Sequence, residues 1–222
     1  MMKLFAEGFM KFTCGLLLVG LLVFLPAGTL RYPYGWLFVC LLFVPMLIAG
    51  VVMLYKSPEF LKKRLDAKEK QGTQKGVVAI SGLIFIAGFV VAGLDFRFGW
   101  SVMPTWVVIT ASVLLLAFYG LYAEVMRENA YLSRTIKVEA GQTVVDTGLY
   151  GIVRHPMYAV TIFLFLMIPL VLGSWYALIP FGFYPAVIVV RLKDEEKLLT
   201  KELPGYCAYM EKVKYRIIPF IW

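Results

Sequence analysis

Charged side chains are scarce in this chain: 16% of its 222 residues are Asp, Glu, Lys or Arg, while 61% are hydrophobic. Soluble domains carry roughly 25% charge, so that class is excluded. Histidine occurs once, as His155, and cysteine three times, as Cys14, Cys40 and Cys207. With no CxxC pair and no Cys/His cluster, a zinc or iron–sulfur centre lacks a ligand set. Cys14 and Cys40 stand inside apolar runs, where a thiol acts as a small hydrophobe. Acidic residues number 14 against 22 basic ones, a formal charge of +8. In a chain this apolar, such an excess points to loops at a membrane face before it points to nucleic acid.

Long hydrophobic runs are what the sequence has in abundance, and a run of about eighteen or more crosses a bilayer as a helix. Four spans are expected, at Phe12–Leu30, Trp36–Tyr55, Gly76–Leu94 and Pro104–Met126. The first is read as retained, because Leu25-Pro26-Ala27-Gly28 is a poor leader-cleavage site. Pro45 is a kink position in the second. Ser57 is an N-cap with Pro58 at the first helical position. In the helix that follows, Phe60, Leu61 and Leu65 share one side, and Lys62, Lys63, Arg64, Lys68 and Lys70 surround them. That pattern fits a helix lying on headgroups and equally a solvated loop helix. Glu124 stands either at membrane depth, where a carboxylate is costly unless partnered or wet, or at the interface, near Arg127 and Glu128. Between Glu128 and Gly148, the segments Thr135–Val138 and Thr143–Val145 flank Glu139-Ala140-Gly141-Gln142 as a small hairpin.

Two shorter apolar runs follow, Ala159–Leu172 and Trp175–Val190, divided by Gly173-Ser174. About fourteen helical residues reach ~21 Å, less than the ~30 Å hydrocarbon core. The pair therefore spans a thin region or packs as a hairpin within the bundle. The expected fold is an all-α integral membrane protein, a bundle of about five to six transmembrane helices. Its last apolar pair is a short helical hairpin, and its C-terminal helical segment is cytosolic. Residues 1–126 form a four-span region carrying the amphipathic loop 57–75, and residues 127–222 form a second region of cytosolic loop, helical hairpin and C-terminal tail. Assigning loops alternately to two sides puts every basic residue except Arg31 and Arg97 on one side. The positive-inside rule makes that side, with both termini, cytoplasmic.

The chemistry-bearing residues gather late in the chain. Pro156 disfavours helix at His155, so the imidazole stands at a helix entrance near orphan backbone N–H groups. Taken alone, such a histidine is also an ordinary turn residue. Arg154 supplies a permanent charge suited to a carboxylate or phosphate, or to anchoring at headgroups. Arg191 and Glu195 lie one helical turn apart, a spacing that by itself also describes a surface pair. Tyr206 and Tyr209 stand at i and i+3. Their faces suit an adenine ring or a sulfonium, and suit an interfacial aromatic belt as well.

In order along the chain come Gly148-Leu149-Tyr150, Arg154-His155-Pro156-Met157-Tyr158, Arg191 with Asp194-Glu195-Glu196, and Gly205-Tyr206-Cys207-Ala208-Tyr209. Together they resemble the isoprenylcysteine carboxyl methyltransferase family and the related phospholipid methyltransferases, most closely from about Asn129 to Trp222. Ser57-Pro58-Glu59 with Arg64 also resembles a segment of the bacterial branch. The resemblance implies S-adenosylmethionine as cofactor, in a cytosolic pocket roofed by the C-terminal segment. Tyr150, His155, Pro156 and Tyr158 would line it, Glu195 and Glu196 would bind polar groups of the cofactor, and Tyr206 and Tyr209 would close it. Arg154, Arg191 and Glu195 would form the catalytic set, with an arginine orienting an acceptor carboxylate or headgroup. That acceptor would be a lipid or prenylated molecule entering sideways from the bilayer, and no metal is implied.

Two positions depart from the family pattern. Leu149 stands where proline is usual and Val160 where glycine is common, so Val160 is expected to hinder a close backbone approach. Two other readings stay open. Lys214-Tyr215-Arg216-Ile217-Ile218-Pro219 is close to the terminus of membrane sterol reductases, which bind a nicotinamide cofactor and have asparagine near the His155-Pro156 position. A non-catalytic lipid-binding membrane protein of the same fold is the third.

Overall fold

A computed structural model of the chain describes residues 2–66, 72–132, 135–136 and 138–222. The helices are α1 (Met2–Ala27), α2 (Pro33–Lys56), α3 (Pro58–Leu65), α4 (Gly72–Phe98), α5 (Thr105–Glu128), α6 (Pro156–Val171), α7 (Leu178–Gly182), α8 (Tyr184–Glu202) and α9 (Tyr206–Lys212). A 3-10 turn, Gly148–Gly151, precedes α6. No strand forms among the described residues. Four helices, α1, α2, α4 and α5, are long and apolar enough to cross a membrane, and α6 is a shorter apolar helix. Hydrocarbon cannot hydrogen-bond a backbone, so such segments close their own bonds as helices. This is the architecture of an integral membrane protein.

Prolines set several helix starts. Pro33, Pro58 and Pro156 each occupy the first turn of α2, α3 and α6, where a missing N–H costs nothing. Pro185 does the same for α8 and separates it from α7. The second arm of the expected hairpin is therefore two helices. The longer of them, α8, runs on past the apolar stretch through Arg191, Glu195 and Glu196.

The main core joins α1, α2, α4 and α5 to the hairpin through Val23, Phe38, Phe89, Leu115, Val171 and Phe181. Two glycines on α4 permit close crossings. A Cβ on Gly93 would meet the Val23 carbonyl of α1 at 2.7 Å, and one on Gly88 would meet the Phe181 ring at 2.3 Å. The hairpin tip lies under the loops at the far end of the bundle. There the Tyr32 hydroxyl donates to the Leu172 carbonyl. Asp95, buried at the end of α4, accepts from the Ser101 backbone N–H and hydroxyl, both at 2.7 Å, and from the Ser174 hydroxyl. Those donors offset the desolvation of a buried carboxylate. So α6 crosses the height of the bundle and turns beneath a lid of polar bonds.

At the opposite end, α3 does not lie free on a surface. Leu61 is buried, Lys63 pairs with Glu139, and the Arg64 guanidinium donates to the Tyr122 hydroxyl, 5.6 Å from the ring centre. Lys11 of α1 donates to the Leu65 carbonyl at 2.7 Å. Lys68 and Lys70, expected on the same helix, lie outside the described residues. The segment expected as a β-hairpin forms instead a turn, in which the Gln142 N–H donates to Glu139 O (3.0 Å) and the Gln142 side chain accepts from Glu139 N–H (2.9 Å). Lys137, part of that hairpin, also lies outside the described residues, as does Arg134. Glu124 pairs with Arg127 at 2.6 Å on an exposed face of α5.

Candidate functional site

Between the polar segment 129–145, the start of α6, α8 and α9 lies a cleft with about 820 Å³ of empty space, part of it open to solvent. Tyr150, Arg154, His155, Tyr158, Arg191, Glu195, Tyr206 and Tyr209 all line it. Two expected site residues do not. Pro156 is buried as the first residue of α6, and Glu196 turns to the other side of α8.

The turn that brings these residues together depends on Gly148. Its φ is +49°, and a Cβ there would fall 1.6 Å from Glu128 Oε1. Only glycine tolerates both conditions. Glu128, at the end of α5, accepts from the Leu149 N–H at 3.0 Å. The departure from proline at 149 thus has a local reason: the N–H that proline lacks is in use. Val160 faces away from the cleft, packed with Val125 and Tyr150 in the cluster between α5 and α6. The expected obstruction is absent; Val160 supports the back of Tyr150.

Behind the cleft is a buried ionic hub. Glu196 accepts from Arg154 Nε and Arg216 Nε, both at 2.8 Å, and lies 3.4 Å from His155 Nε2. Burial pushes its carboxyl upward, but the hydrogen bonds from His155, Arg216 and Arg154 outweigh burial and hold it at about 2. Arg154 Nη1 also donates to the carbonyls of Val213 (2.8 Å) and Lys214 (2.9 Å). Backbone bonds from Arg154 N to Tyr215 O (2.9 Å) and His155 N to Arg216 O (2.8 Å) complete the strap. Arg154 and Glu196 thereby fasten the C-terminal tail to the His155 turn.

The cleft's own polar groups form a second network. The Tyr158 hydroxyl donates to Glu195 and accepts from Arg191 Nε at 3.1 Å. Arg191 Nη1 donates to Gln74 Oε1 at 3.2 Å, and Gln74 Nε2 donates to Asp194 Oδ2 at 3.1 Å. The Tyr206 hydroxyl lies 3.4 Å from His155 Nε2, and the Tyr209 hydroxyl donates to the Tyr150 carbonyl at 2.7 Å. Burial pushes the Tyr206 phenol up, reinforced by Glu196 and Glu195, and burial does the same for Tyr150 and Tyr209. All three stay neutral at physiological pH. The Tyr150 hydroxyl lies near Asn129 but has no partner of hydrogen-bond geometry among the described residues, although it is buried.

Sequence reasoning missed Gln74, which is fully buried in the first turn of α4. A polar residue just before an apolar run reads as loop, and only the helix start at Gly72 brings it inside. Asn129, Thr135, Gln142 and Thr143 also line the cleft, and no periodicity marks them. Among the described residues no group of acidic, histidine or cysteine side chains is arranged to hold a metal.

Residues 106–201 match the isoprenylcysteine carboxyl methyltransferase family. The match runs from α5 through nearly all of α8, taking in Tyr150, His155, Tyr158, Arg191 and Glu195, and it stops short of Tyr206 and Tyr209. Among curated proteins, the chain is 32% identical over 92 residues to the Delta(14)-sterol reductase TM7SF2 of Mus musculus, 40% of this chain and 22% of the reductase. It is also 32% identical over 96 residues to the uncharacterized protein YpbQ of Bacillus subtilis (strain 168), 43% of this chain and 57% of that protein. The matched part thus spans less than two thirds of either relative.

Proposed function

We propose that this protein is an S-adenosylmethionine-dependent methyltransferase acting on a lipid-like acceptor with a carboxylate, of the isoprenylcysteine type, with its cleft on the cytosolic side. The observation that carries the reading is the cleft built mostly from the family-matched segment, into which the buried Tyr150 hydroxyl faces with no partner of hydrogen-bond geometry among the described residues. A buried hydroxyl of that kind fits a polar ligand group. Tyr158, Tyr206 and Tyr209 fit an adenine and a sulfonium, and Glu195 fits the cofactor's hydroxyl or ammonium groups. Bound there, S-adenosylmethionine would supply an electrophilic methyl group on a positively charged sulfur.

The protein's share is then alignment and exclusion of water, which lower the barrier of an in-line displacement. A carboxylate acceptor needs no general base, in keeping with three neutral tyrosines and a His155 Nε2 that faces Glu196 and Tyr206. Arg191 is the arginine disposed toward the acceptor, since it is only half-buried on the cleft wall, whereas Arg154 is buried between Glu196 and the tail carbonyls. The charge asymmetry of the loops supports the cytosolic placement of this end.

Calorimetric titration of the detergent-purified protein tests the proposal. S-adenosylhomocysteine is expected to bind with micromolar affinity and NADPH not to bind. The likeness to a sterol reductase favours a second reading, and NADPH binding without S-adenosylhomocysteine binding would establish it in place of the first. Binding of neither ligand would leave a non-catalytic lipid-binding protein.

A further inference from the structure

Gln74 lies outside the family-matched segment, on α4, yet it enters the cleft's network as a spacer. We propose that Gln74 is a positioning residue that keeps Arg191 on the cleft by standing between it and Asp194. The inference concerns the geometry of the site proposed above, and its first readout is independent of any ligand.

The directions of the bonds follow from the groups themselves. A guanidinium only donates, so Gln74 Oε1 must accept from Arg191 Nη1 (3.2 Å), and the amide NH₂ is left to donate to Asp194 Oδ2 (3.1 Å). Arg191 Nε likewise makes the Tyr158 hydroxyl its acceptor, which commits the Tyr158 proton to Glu195. The chain Asp194–Gln74–Arg191–Tyr158–Glu195 is therefore polarised in one sense from end to end.

Arg191 and Asp194 are three residues apart on α8, a spacing at which opposite charges pair directly. They do not use it, because the carboxamide occupies the space between them and satisfies both. Asp194 turns its other oxygen to Lys197 at 3.6 Å. No other side chain of this size does what glutamine does here. Glutamate would accept from Arg191 but repel Asp194, and leucine would do neither. Full burial makes the amide's two bonds obligatory for its own stability. Without Gln74, Arg191 would turn along α8 to Asp194, and the Tyr158 hydroxyl would lose its donor.

The test compares wild type, Gln74→Leu and the double variant Gln74→Leu/Asp194→Asn, all folded by circular dichroism. With arginine labelled in nitrogen-15, the Arg191 Nε–Hε resonance, identified by its loss in Arg191→Lys, is expected to shift in Gln74→Leu. It should return toward its wild-type position when Asp194→Asn removes the competing carboxylate. S-adenosylhomocysteine affinity should follow the same pattern, falling about tenfold and recovering, as for the loss of one charge-assisted bond. A packing role for Gln74 would not be rescued by changing Asp194, so a shift that persists in the double variant overturns the proposal. An unmoved resonance in Gln74→Leu overturns it as well. If the resonance behaves as expected but wild type binds no S-adenosylhomocysteine, the functional reading fails and the role of Gln74 stands. Should Gln74→Leu not fold, Gln74→Met takes its place: it keeps the unbranched chain and the volume and removes both hydrogen bonds, and the same shift and rescue are expected.

Discussion

Two residues that depart from the family pattern have opposite meanings once their neighbours are known. Leu149 donates its N–H to Glu128, and Gly148 before it has a positive φ. A proline at 149 would remove that donor and push residue 148 toward extended backbone. Leu149→Pro should therefore destabilise the protein by about 1–3 kcal/mol, seen as a lower melting temperature in detergent; unchanged melting would refute the role given to Glu128. Val160 instead belongs to the packing between α5 and α6. Val160→Gly removes a buried side chain and adds a glycine to a helix, at a cost of about 2–4 kcal/mol. Because Val160 does not line the cleft, the same change should leave S-adenosylhomocysteine affinity within about twofold. A large gain in affinity would show that the valine does obstruct a ligand.

At the scale of elements, α8 and the tail decide the site. The ion hub at Glu196 joins them to the His155 turn, and its carboxyl is held at about 2 in the fold against an ordinary value of 4.5. A lowered folded-state value contributes stability that is present above about pH 4.5 and lost as pH falls through about 2, in all about 3 kcal/mol. Thermal melts between pH 5 and 2 should show that loss in wild type. Glu196→Gln should lack this part of the acid slope and melt lower at neutral pH, where Arg154 and Arg216 would face a neutral amide. An identical slope in both proteins would assign the acid sensitivity elsewhere. The sequence alone revealed the long helices, because apolar length is a local property, and it revealed the ordered motifs that meet in the cleft. It did not reveal that α8 is continuous from the apolar run into the Arg191–Glu202 segment, since the change in composition at Val190 looks like a boundary. Nor did it reveal Gln74 or the lining by Asn129 and Gln142, which reach the cleft through contacts distant in sequence.

For the whole molecule, the two ends of the bundle differ in the charge they carry. Lys11, Lys63, Arg64 and the tail's basic residues share the end that holds the cleft, as the bonds of Lys11 to Leu65 and Lys63 to Glu139 require. Arg97 lies at the other end, with its guanidinium against Gly28 beyond α1. A membrane sorts such ends by their basic residues, so the cleft end should face the cytosol. Cys207 is an exposed natural probe of that end. Leu30 is exposed in the opposite loop, so Leu30→Cys in a background lacking the three native cysteines probes the other. A membrane-impermeant maleimide applied to intact cells should label Leu30→Cys at once. It should label Cys207, kept as the sole cysteine, only after permeabilisation. The reverse pattern would place the cleft outside and remove the intracellular pool of S-adenosylmethionine from its reach. Labelling of both positions in intact cells would mean dual insertion, and the charge asymmetry would then not be what orients this chain.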